Sequence, residues 1–201
     1  VTTPAKEAPD RKIQRPEGTL RLFWAVPLWD EFRPGAEGHF NRLKAYGWPL
    51  KWVRPENWHI TLKFLGNVPE TAVTDLSESV RAQVAGIEPF RIGLEGLGGF
   101  PRLSRMRVLW VGVKEGKEPL ISLSKGVHRG CLAAGRPGDR KEFQPHLTLA
   151  RSKADPVSVN LPRDLLYAAW GERRVESVFL VKSTLQPSGA VYETLTEIPI
   201  V

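Results

Sequence analysis

Cysteine is almost missing from this chain: Cys131 stands alone among 201 residues. A single thiol excludes an internal disulfide and any multi-cysteine zinc site, so stability has to come from packing. No run approaches the ~20 apolar residues that a bilayer-spanning helix needs, and the first residues lack the apolar core of a signal peptide. Acids are in deficit, 22 against 29 lysines and arginines, which leaves a formal net charge of +7. That balance favours anionic partners such as nucleic acid or phosphate esters. These absences lead to the expectation of a cytoplasmic protein, monomeric and without membrane contact. What is present suits a globular core: 41% hydrophobic residues, with seven Trp and eight Phe.

Residues 1–18 are rich in Pro and charge and poor in large apolar groups, so they cannot offset the entropy of ordering and are expected to form a flexible tail. From Thr19 the run TLRLFWAVPL reads as a buried strand ended by Pro27. Segment 36–46 reads as a helix stopped by Gly47, and the alternating WHITLKFL of 58–65 as a strand. Between 70 and 85, Val73, Leu76, Val80 and Val84 recur at helical spacing, with Pro69 before and Gly86 after. Segment 90–97 alternates as a strand, followed by an expected loop, GGFPRLSRMR.

The chain then begins again. VLWVGV at 108–113 echoes LFWAV at 22–26, and His59 follows Trp24 by 35 residues while His146 follows Trp110 by 36. A helical pattern, Leu120, Leu123, Val127 and Cys131, precedes the second histidine. HITLKFLG (59–66) matches HLTLAR (146–151). After each comes an expected helical stretch and a further strand, 90–97 in the first half and 175–182 in the second, with an extra strand near 191–198. The expected organisation is one domain over 19–201, made of halves of about 19–106 and 107–201. Each half reads strand, helix, strand, helix, strand, so the fold is expected to be α+β, bilobed and pseudo-twofold.

Alternation along a strand puts His59 and Thr61 on one face, and His146 and Thr148 likewise. With four His and ten Thr in the chain, one H-x-T has a chance expectation of roughly 0.2, but two at equivalent points of a repeat point to function. Two imidazoles facing one cleft suit acid–base chemistry at a phosphodiester, one taking a proton and the other giving one. The threonine hydroxyls and nearby cations would hold the phosphate oxygens. Lys63 shares the parity of His59 and Thr61. Arg151 has the wrong parity but lies where the strand should end, and its guanidinium offers a fork to phosphate. No Asp, Glu or Cys stands at ligand spacing beside either histidine, so no metal and no cofactor is expected. His39 and His128 fall in helical patterns and are expected at the surface. The loops carrying Trp48, Trp52 and Phe100 are candidates for contact with RNA.

The paired HITL and HLTL motifs, with RLFWAV, PENWHITLKFLG, FQPHLTLAR and VYETL, resemble the RNA 2′,3′-cyclic phosphodiesterases, or 2′-5′ RNA ligases, of the 2H phosphoesterase superfamily. The resemblance covers roughly 19–201. It implies two antiparallel sheets around a central cleft, and metal-free hydrolysis of an RNA 2′,3′-cyclic phosphate to a 2′-phosphomonoester. It also implies an association with reversible 2′-5′ joining of tRNA halves. By motif, His59 is similar to the family's proton donor and His146 to its acceptor, with Thr61, Thr148 and Arg151 on the phosphate. Gln144 departs from the basic or aromatic residue commoner at that place. Two other readings stay open: an RNA-end binding module without turnover, and a phosphodiesterase acting on a small nucleotide such as a cyclic phosphate derived from ADP-ribose.

Overall fold

A computed structural model describes residues 16–28, 32–138, 142–153, 155–187 and 189–201. The expected tail therefore lies mostly outside the described residues. Its last part, Pro16 to Gly18, is a turn anchored to the fold, since the Glu70 N–H donates to the Gly18 carbonyl at 2.9 Å. The described elements run β1 (Thr19–Pro27), α1 (Arg33–Ala45), β2 (Leu50–Trp52), β3 (His59–Pro69), α2 (Val73–Val84), β4 (Phe90–Arg102) and β5 (Arg105–Glu115). They continue with α3 (Lys117–Ala133), β6 (His146–Ser152), α4 (Arg163–Leu166), β7 (Ala169–Val175), β8 (Ser177–Gln186) and β9 (Gly189–Pro199). No described helix is long and apolar enough to cross a membrane.

The strands form two antiparallel sheets, ordered β3-β1-β8-β9 and β2-β6-β5-β4-β7. The architecture is α+β, as the interleaved pattern implied. The repeat is visible in the strand order, because β3-β1-β8 corresponds to β6-β5-β4. The third strand of this core comes from the other half each time: β4 pairs with β5, and β8 with β1. One contiguous apolar core, with Trp24, Trp58 and Trp170 fully buried, joins both sheets to the helices.

Four local readings need correcting. The expected loop 98–107 is mostly strand, the closing end of a long β4–β5 hairpin turning near Leu103 and Ser104; its Gly and Pro content masked the pairing. The expected strand 175–182 is broken at Glu176, where the chain passes from β7 in one sheet to β8 in the other. Val175 and Val178 are both buried on either side of that crossing, which made one continuous pattern in the sequence. The second helix of the second half is reduced to the four residues of α4, in a stretch interrupted by Pro156 and Pro162, which cannot continue a helix. Finally, β2 is too short to show a period.

Helices α2 and α3 pack closely because α3 carries glycine where they cross. A Cβ on Gly130 would come to 2.5 Å from the Cα of Val80 and 2.8 Å from the Ser79 carbonyl oxygen. Both obstacles are backbone, so neither can rotate aside. Gly130→Ala is expected to lower stability by about 1–3 kcal/mol in urea unfolding, as overpacking does, although alanine in an isolated helix would gain about 1 kcal/mol over glycine. A stabilised variant would show that the helices separate without cost.

Candidate functional site

Strands β3 and β6 carry the two H-x-T motifs, and each pairs with the first strand of its own half. Thr61 lies opposite Ala25 and Thr148 opposite Trp110. The residue of the first half equivalent to Trp110 is thus Ala25, and the apparent echo of Trp24 in Trp110 is one residue out of register. The difference is physical: Trp24 is fully buried in the main core, whereas Trp110 packs beside His146 with ring centroids 6.2 Å apart. Gly98 makes room for it, since a Cβ there would collide with the indole ring.

Both motif strands bulge at the same place. Between Trp24 and Ala25 the ladder on β3 jumps from Lys63 to Thr61, and between Leu109 and Trp110 the ladder on β6 jumps from Ala150 to Thr148. The extra residues, Leu62 and Leu149, are buried. A bulge reverses the alternation that follows it. The fifth residue after each histidine therefore turns back to the cleft: Phe64 in the first half, Arg151 in the second. Lys63 takes the place equivalent to buried Ala150. It is only 7% exposed and lies outside the cleft around His59, lining instead a second hollow together with Thr61 and His146, so it does not share the cleft face that its sequence parity implied. The same bulge explains why Arg151 reaches the cleft against its sequence parity.

The cleft has a volume of about 540 Å³, and His59, Thr61, Thr148 and Arg151 line it together. A second hollow of about 980 Å³ lies on the other side of Thr61 and Phe64 and is lined in part by His146. Around the first, the cations are Arg21, Lys51, Arg54 and Arg151, and no carboxylate is among its described lining residues. Among the described residues Arg54 alone of these lies near an acid, 3.8 Å from Glu56. Such a surface attracts an anion.

Each histidine is held in the same way. The Nδ1–H of His59 donates to the Asn57 carbonyl at 2.7 Å, and that of His146 to the Gln144 carbonyl at 2.6 Å. With Nδ1 so committed, Nε2 is the nitrogen left for chemistry. In His59 it sits 3.0 Å from the Thr61 hydroxyl. Since Gln144 contributes its backbone, its side-chain departure leaves this support intact. The Asn57 side chain in turn donates to the Ala190 carbonyl at 3.0 Å, fixing the turn before β3 against β9. Aromatic rings wall both imidazoles: Phe23 at 4.9 Å and Tyr192 at 5.3 Å for His59, Phe100 at 4.9 Å for His146.

The sequence pointed to none of Phe23, Phe64, Arg21 or the two carbonyls individually. Trp52 lines the cleft, whereas Trp48 stacks on Tyr46 instead, 4.9 Å between centroids. His39 packs against Trp170 and, like His128, is half-buried rather than on the open surface. Burial pushes the Cys131 thiol up to about 12, which removes it as a nucleophile. Among the described residues no three His, Cys, Asp or Glu side chains gather as a metal site.

Burial lowers the pKa of His59 from 6.5 to about 4, against the opposing pull of the Asn57 carbonyl, and the nearby positive charges of Arg151 and His146 lower it further. His146 is lowered too, by burial first and then by Arg151. Arg151 thus acts on both rings. Between pH 6.5 and 4 the unfolded chain binds more protons at His59 than the folded one, so its neutral form supports folding above pH 6.5 and that support is lost as pH falls through the window. Denaturation midpoints are expected to drop over this range, and less steeply in His59→Gln. An equal slope in the variant would place the acid sensitivity elsewhere.

The comparisons with known proteins agree with this architecture. The family model for the 2′-5′ RNA ligase superfamily matches residues 28–186. An RNA 2′,3′-cyclic phosphodiesterase of Aeropyrum pernix is 41% identical over 155 residues, covering 76% of this chain and 87% of that protein. One from Archaeoglobus fulgidus is 36% identical over 177 residues, 88% of this chain and 98% of that protein. The crystal structure of TT0787 of Thermus thermophilus superposes with a TM-score of 0.74 at 33% identity, covering 90% of this chain and 98% of that one. That of E. coli LigT in apo form gives 0.72 at 25%, covering 91% and 98%. With the duplicated sheets, the paired H-x-T strands and these matches together, the chain belongs to the 2′-5′ RNA ligase superfamily.

Proposed function

We propose that this protein opens the 2′,3′-cyclic phosphate at an RNA end, leaving a 2′-phosphomonoester, with His59 and His146 as the proton-transfer pair and no metal. One observation carries the reading: two histidines from distant parts of the chain, each locked through Nδ1 to a carbonyl two residues upstream, sit within electrostatic reach of one another and of Arg151. That is the apparatus for moving one proton onto, and another off, the oxygens of a single phosphorus centre. The activity is the one for which the curated relatives are named.

In the proposed step, water attacks phosphorus and gives its proton to Nε2 of neutral His146. The P–O3′ bond breaks, and O3′ takes the proton from Nε2 of cationic His59. The products are a 2′-phosphate and a 3′-hydroxyl, and proton exchange with solvent resets the rings. Arg151 and the hydroxyls of Thr61 and Thr148 would hold the non-bridging oxygens as charge builds on them. Lys63, turned inward, has no part in this scheme. With the 5′-hydroxyl of a second RNA, such as a tRNA half, in place of water, the same step would form a 2′-5′ linkage, and its reversal would cleave one.

The test is product analysis on an oligoribonucleotide ending in a 2′,3′-cyclic phosphate. His59→Ala and His146→Ala are each expected to lower kcat by about 10² to 10⁴-fold, the usual size of a general acid or base contribution, and EDTA is expected to leave the rate unchanged. Full activity in either variant, or a 3′-phosphate product, would overturn the assignment.

The pH profile makes a separate demand. In the free protein both rings favour the neutral form at pH 7, and the acid has to be charged. kcat/KM is therefore expected to peak below pH 6.5 and to fall on both sides, its limits belonging to the pair rather than to either residue. A bound phosphate anion stabilises the imidazolium, so kcat should peak at higher pH than kcat/KM. A kcat/KM flat from pH 5 to 8 would exclude paired imidazole catalysis.

A further inference from the structure

Arg21 reaches the same cleft from β1, away from the histidine motifs. Its guanidinium carbon lies 4.9 Å from the centroid of Phe64, the residue that the bulge in β3 turns inward. Its Nε is buried without a hydrogen-bond partner, and among the described residues no carboxylate pairs with it. Leaving a buried charged donor unsatisfied is costly, and the deficit is relieved when an anion arrives. Cation–π attraction to the ring beneath it holds the guanidinium at the cleft before any ligand binds.

Its position along the cleft separates it from Arg151. Phe23 packs against His59, and Arg21 lies two residues further along the same strand, about 7 Å at the usual rise. The phenol of Tyr192, whose ring packs on Phe23 and His59, is within electrostatic reach of both arginines. The cleft thus carries the guanidiniums of Arg151, from β6 of one sheet, and of Arg21, from β1 of the other, and the step of about 7 Å from Phe23 to Arg21 is comparable to the interval between successive phosphates of a nucleic-acid strand.

We propose that Arg21 holds the phosphodiester on the 5′ side of the terminal nucleotide, so that the cleft is built for an RNA strand and discriminates against a lone nucleoside 2′,3′-cyclic phosphate. This rests on the activity proposed above. The terminal ribose of an RNA has one neighbouring phosphate, on its 5′ side, and a mononucleotide cyclic phosphate has none. Arg21 is accordingly a binding residue for substrate length and takes no part in proton transfer.

The experiment compares kcat/KM on a dinucleotide ending in a 2′,3′-cyclic phosphate with that on the corresponding nucleoside 2′,3′-cyclic phosphate, in the full-length chain. Arg21→Met, which keeps a flexible apolar stem over Phe64, is expected to lower the dinucleotide-to-mononucleotide ratio about tenfold or more, mainly through KM for the dinucleotide. Its plot of log kcat/KM against log salt for the dinucleotide should flatten by about 0.7, the loss of one phosphate contact on a single strand. Arg21→Lys, which keeps the charge without the fork, should recover part of the ratio and most of the slope. An unchanged ratio in Arg21→Met, or equal losses on both substrates, would overturn the proposal while leaving the two-histidine mechanism standing. If the unmodified protein turns over neither substrate, the proposed activity fails and this inference with it.

Discussion

The hydrogen bond from Nδ1 of each motif histidine to the carbonyl two residues upstream governs the orientation on which the site depends. It commits one nitrogen, chooses the tautomer and aims the other nitrogen outward, and it does so with backbone atoms that substitution does not remove. The aromatic walls then stop the ring from turning. The arrangement occurs in both halves, with the backbone carbonyls of Asn57 and Gln144 in the same role. Asn57 adds a tether to β9, so the first imidazole is referenced to a strand from the far end of the chain.

Much of this was legible in the sequence, and the limits are instructive. The two H-x-T motifs identified the histidine strands because period-two alternation holds over three residues, too short a span for a bulge to intervene. Four and five residues on, it fails: alternation alone turns Lys63 to the cleft and Arg151 away from it, and the structure reverses both. A bulge is a property of the ladder between two strands, set by how β1 lies on β3 and β5 on β6, and neither strand records it alone. The misregistered echo of Trp24 in Trp110 has the same origin. Matching composition made the two tryptophans look equivalent, while the ladder gives one to the core and the other to the wall of the site.

Symmetry in the backbone has been put to unequal use. Equivalent bulges deliver Phe64 in one half and Arg151 in the other. One supplies a flat apolar face and the other a cation, so a duplicated framework presents an asymmetric groove to a substrate that is itself asymmetric. Long, alternating strand segments and the helical spacing of α2 and α3 could be read directly. The chain's passage between sheets at Glu176 could not, since burial continues on both sides of it.

The exchange of third strands has a mechanical consequence. Because β4 is laced into the sheet of the second half and β8 into that of the first, the two halves of the sequence cannot part as units without shearing ladders, although the histidine strands β3 and β6 themselves lie in different sheets. Any opening of the site has to come from one mixed sheet moving against the other across the apolar core they share.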